Sequence, residues 1–107
     1  MRDENLPIYK AVIDKCPDIE LKGKNMLYTS DNGYMFSLIN KAGEFGFRFS
    51  EQRKKELIET LNTTDLKSYG AIMRGYVKIP ENLFGDTDLL AEYLKESHAY
   101  VMSLEPK

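Results

Sequence analysis

The sequence predicts an α+β fold: two layers, an antiparallel sheet of four to five strands with helices on one face, in the order α-β-β-β-α-β(-β)-α. Three observations carry that expectation. Apolar residues recur at helical spacing in three separate stretches, and they alternate with period two in the segments between. The links joining the first three strands are too short for parallel crossovers, so those strands form an antiparallel meander. The chain has 107 residues, which suits one core and hence a single domain, 1–107.

Leu6, Tyr9, Val12, Ile13 and Cys16 form the first apolar stripe. They predict a helix opening near Asn5, with Pro7 in its first turn, where a missing N–H has no partner to lose, and Pro17 as its stop. NMLYTS reads as a strand, DNG as a tight turn and YMFSLIN as the return strand, because Asn32 and Gly33 readily take positive φ. After the turn NKAG, the segment EFGFRF alternates Phe45, Phe47 and Phe49 with Glu44, Gly46 and Arg48, which turns the three phenylalanines toward the core. Ser50 can cap a second helix whose stripe is Leu57, Ile58 and Leu61. LKSY reads as a brief strand, and Gly70 turns the chain into the strand AIMRGYVKI. Asp86 to Asp88 offer caps for a last and longest helix, with Leu90, Leu94, Ser97, Val101 and Leu104 on one face.

Composition narrows the function. A hydrophobic content of 42%, with seven Tyr, five Phe and no Trp, belongs to ordinary globular proteins. The net charge of -2 creates no overall field for phosphates, so nucleic acid is disfavoured as a partner. Cys16 is the single cysteine, which excludes an internal disulfide and a Cys-rich zinc site and fits a reducing, cytoplasmic setting. No apolar run reaches the length of a membrane span, and the acidic, proline-interrupted MRDENLPIYK is no signal peptide.

No catalytic set assembles from the sequence. His98 and Cys16 are the only residues of their kinds and sit on different predicted helices, without the local signature of a thiol-histidine pair. A metal has no second histidine to bind, and neither GEFG nor GAIMRG has the strand-to-helix setting of a phosphate-binding loop. The chain reads as a non-enzyme with no cofactor.

Candidate partner-binding residues come from alternation. In GAIMRGYVKIP, Ala71, Met73, Gly75, Val77 and Ile79 share one face, and Ile72, Arg74, Tyr76 and Lys78 the other. Arg48 points opposite the phenylalanines. The sheet face that helices leave open is therefore expected to carry Arg48, Arg74, Tyr76 and Lys78, with Tyr28 joining if its strand registers that way. Arginine and tyrosine combine broad apolar area with directed donors, which suits protein contacts.

Four motifs, YTSDNGYMFSLI, FRFSEQRKKELI, YGAIMRGYVKIPENL and YLKESHAYVMSLEPK, resemble in order and spacing the TfoX N-terminal-domain-like family, particularly its stand-alone members. The similarity runs from about Gly23 to Lys107. It implies a curved antiparallel sheet with helices packed on one side. Two departures stand out: LKGKNM replaces a Gly-rich Met-Phe-Gly-Gly turn, and His98 stands where those members carry an aromatic residue. The resulting expectation is an interaction or regulatory module that contacts a protein partner or a second copy through its open face or a strand edge. A nucleic-acid-binding accessory domain is the alternative.

Overall fold

The computed structural model describes residues 2–68 and 70–107. Its elements follow the expected order: α1 (Arg2–Asp14), β1 (Leu27–Asp31), β2 (Tyr34–Ile39), β3 (Phe45–Arg48), α2 (Glu51–Leu61), β4 (Asp65–Ser68), β5 (Ala71–Lys78) and α3 (Thr87–Met102), with a 3-10 turn at Glu81–Leu83. The five strands form one antiparallel sheet in the order β1-β2-β3-β5-β4. Tyr69, the last residue of the expected LKSY strand, lies outside the described residues.

Local chemistry sets the boundaries. Asn32 and Gly33 take φ values of 56° and 84°, the two positive angles that a two-residue hairpin needs to match strand twist. Ser50 accepts from Arg53 N and Asp86 accepts from Leu89 N, so each side chain satisfies a first-turn donor of its helix. Asn62 ends α2 in the left-handed region. Helix α1 departs from expectation, because it opens at Arg2 rather than near Asn5 and so places Pro7 inside it. The carbonyl that Pro7 cannot serve belongs to Asp3. Both residues are exposed, so water can take that bond.

All three helices pack on one sheet face. Tyr9, Val12 and Ile13 of α1, Leu57 of α2 and Leu90, Leu94 and Val101 of α3 close over Phe36, Ile39, Phe45, Phe47, Phe49, Val77 and Ile79. Phe45, Phe47 and Phe49 are all buried, as alternation requires. Burying each such side chain stabilises the fold by roughly 1.5–3 kcal/mol. Polar groups inside this layer are paired. Tyr9 Oη lies 2.7 Å from Ser37 Oγ, which lies 2.6 Å from Thr29 Oγ1, and Ser97 Oγ reaches the carbonyls of Arg48 and Phe36 at 2.6 and 3.0 Å.

The sheet curls on its other face. A Cβ on Gly46 would stand 2.2 Å from Leu66 Cδ2, so the missing side chain in β3 is what lets Leu66 of β4 lie across it. Asn40 Nδ2 donates to the Lys67 carbonyl at 3.3 Å, tying β4 back toward the β2–β3 turn. Against β4, Asp65 pairs with Val77 but Lys67 pairs with Ile72. The unequal spacing marks a bulge in β5 around Gly75, whose φ of 84° a residue with a Cβ rarely adopts. Beyond that bend, Ala71–Arg74 forms an arm paired with β4 at Ala71 and Ile72 and not with β3.

Candidate interaction surface

The face opposite the helices holds a second, smaller cluster of Leu38, Leu66 and Tyr76, finished by half-buried Met26, Tyr28, Met35 and Met73. The sequence signal for it is blurred by the Gly75 bulge. Strict alternation puts Met73 opposite Tyr76; the bulge resets the register and brings them into one cluster. Ile72 follows on the arm at 58% exposure, the most exposed large apolar residue among those described.

The five residues predicted to share this face separate into three settings. Tyr28 joins the cluster. Tyr76 joins it too but is buried, with its hydroxyl donating to the Met35 carbonyl at 2.7 Å across β3; burial pushes its pKa up to about 12 despite the nearby Arg48 charge. It therefore lies on the open face as expected but is buried there, holds strands together and has no donor left over for a partner. Lys78 is bound to Glu44 (Nζ to Oε2, 2.8 Å). Burial acts to raise the Glu44 pKa, but hydrogen bonds from Lys78 and Asn40 outweigh it and hold the carboxyl low.

Arg48 and Arg74 make up the third setting. Arg74 is exposed on the arm. Arg48 does not project freely from the open face: its guanidinium carbon lies 5.4 Å from the Tyr34 ring centre and 5.8 Å from that of Tyr100, so it wraps the end of the sheet and touches α3. Its Cγ and Nε pass 3.5 and 3.6 Å from the Cβ position of Gly75. Among the described residues no carboxylate pairs with Arg48, Arg74 or the exposed Lys67, whereas Lys15, Arg53, Lys54 and Lys78 all have acidic partners.

On the helical side, Cys16, Pro17, Asp18, Ile19, Lys95 and His98 line a depression of about 250 Å³. His98 Nε2–H donates to Asp31 Oδ2 at 2.8 Å. A thiol, an imidazole and an orienting carboxylate thus lie near one another, but their bonding is not that of a nucleophile and its base. Cys16 Sγ donates to the carbonyls of Val12 and Ala91 at 3.5 and 3.7 Å, and burial raises its pKa, only partly offset by Lys95. The thiolate is disfavoured there. Among the described residues no cluster of three or more His, Cys, Asp or Glu could hold a metal ion.

His98 and Asp31 belong instead to a clamp between the β1–β2 turn and the end of α3. Asn32 Nδ2 donates to the carbonyls of Val101, in the last turn of α3, and of Leu104, just past its end, both at 2.9 Å. Tyr34 Oη donates to the Glu105 carbonyl at 2.7 Å, and Lys107 N donates to the Asn32 carbonyl at 3.3 Å. The motifs SDNGY and HAYVMSLEP, distant in sequence, thereby meet. The chain matches no protein-family model, no curated protein and no solved structure.

Proposed function

We propose that this protein is a non-enzymatic interaction module that contacts a protein partner through the sheet face its helices do not cover and the β5 arm beside it. The observation that carries this reading is the apolar cluster on that face, completed by Met26, Met35, Met73 and Tyr28 at partial exposure, with exposed Ile72 next to Met73 along the arm. Unbranched, polarisable methionines conform to varied partners, and contiguous exposed apolar surface marks contact sites. The four TfoX-like motifs support a regulatory setting, and the single buried thiol agrees with a cytoplasmic one. No helix among the described residues is long and apolar enough to cross a membrane.

The nucleic-acid alternative is weakened by the same facts: Tyr76 is buried rather than offered for base stacking, and Lys78 is neutralised by Glu44. A photocrosslinking amino acid at Met73, with a control at Lys55 on exposed α2 surface, tests the proposal in cell extract. A discrete protein adduct from position 73, absent from position 55 and lost with Ile72→Asp, is expected. Equal adducts from both positions, or none from 73, contradict it.

A further inference from the structure

We propose that the unpaired backbone edge of the β5 arm, Ala71–Arg74, takes an extended, carboxylate-bearing segment of the partner protein as an added strand. This rests on the reading above and names the chemistry of the occupant. The ladder between β3 and β5 runs Gly46–Lys78, Phe47–Val77 and Arg48–Tyr76, closes with Phe49 N donating to the Gly75 carbonyl, and stops where Ser50 starts α2. Beyond that point β5 continues for four residues, about 13 Å at ~3.3 Å per residue, paired with β4 at Ala71 and Ile72 and with no strand on its other side among the described residues.

The outer edges of the sheet are treated differently. Lys22 exchanges both backbone bonds with Tyr28, and its Nζ reaches the Ser30 carbonyl at 3.2 Å, covering β1. Asn40 engages the Lys67 carbonyl of β4. Among the described residues the arm has no such cover, and an unpaired strand edge is a template for another strand.

Charge selects the occupant. Arg74 stands on the arm, Arg48 lies against its base at Gly75, and Lys67 sits opposite Ile72, with no acidic partner for any of them among the described residues. A second copy of the chain paired about a two-fold axis would bring two sets of these cations within roughly a Debye length, about 8–10 Å, of each other. A segment carrying Glu or Asp meets them with opposite charge, while its alternate apolar residues, which share one face, lie along Met73.

The test uses two N-acetylated nonapeptides, one alternating Val with Glu and the other alternating Val with Lys, with binding read by fluorescence anisotropy and amide exchange followed residue by residue. The Glu peptide is expected to bind at least tenfold more tightly, to slow exchange at whichever amides from Ile72 to Arg74 face away from β4, and to lose that preference with Arg74→Glu. Equal binding of the two peptides overturns the inference. Slowing confined to Met26, Tyr28 and Met35 also overturns it but leaves the interaction reading standing. If the arm amides are already slow in the protein alone and light scattering gives a doubled mass, the occupant is a second copy and the acidic segment is wrong. No binding by either peptide to a monomer removes the inference, while the crosslinking contrast judges the underlying reading separately.

Discussion

Asp31 shows how one side chain joins distant parts of the chain. The hydrogen bond from His98 is the largest influence on its carboxyl and holds the pKa below the ordinary value, aided by the Asn32 backbone N–H. A carboxyl lowered in the folded state adds stability above its unfolded pKa, about 3.9, and loses it as pH falls through the folded value. His98→Phe keeps a ring beside Phe36, whose centre is 5.1 Å from that of His98, and removes the donor. The Asp31 titration, followed by carboxyl ¹³C NMR, is then expected to move up toward the ordinary range, and the loss of stability on acidification from pH 6 to pH 3 to become smaller. An unchanged titration would show that the bond has no such role. Asn32 illustrates what sequence can and cannot disclose at this scale. Its turn conformation follows from the Asn-Gly pair, but its service to the end of α3 depends on a packing that joins residues 69 and 72 positions apart.

At the scale of elements, the decisive feature is the fit of β4 over β3. Gly46→Ala puts a methyl where Leu66 Cδ2 already lies, and overpacking of this kind costs about 1–3 kcal/mol. Leu66→Ala costs about 2–5 kcal/mol by emptying the same space. Because both changes act on one volume, the double variant is expected to be less destabilised than the sum by at least about 1 kcal/mol in denaturant unfolding; strict additivity would mean that Leu66 does not occupy the site. The strands themselves were legible. Alternation placed Phe45, Phe47 and Phe49, and the Asn-Gly pair placed the first hairpin. The faces of β5 were not, because a period of two assumes an unbroken pleat and Gly75 breaks it. A glycine within a strand pattern is itself a bulge signal, and that reading would have moved Met73 to the side of Tyr76.

For the molecule as a whole, one strand serves two ends. Tyr76–Lys78 is fixed between β3 and β4 above the helical layer, while Ala71–Arg74 continues past the end of β3 with exposed Ile72 and cations that lack acidic partners among the described residues. Chemical type alone does not separate Tyr76 and Lys78, whose polar groups are used internally, from Arg74, which has no acidic partner among the described residues. That difference arises from the curl of the sheet, which Gly46, Leu66 and Gly75 create together. Amide hydrogen exchange of the isolated protein measures the division along β5 most directly. Exchange is expected to be slow at Val77 and, within the same strand, fast at one or more amides from Ile72 to Arg74 that face away from β4. Uniformly slow exchange from Ala71 to Lys78 in a monomer would contradict it.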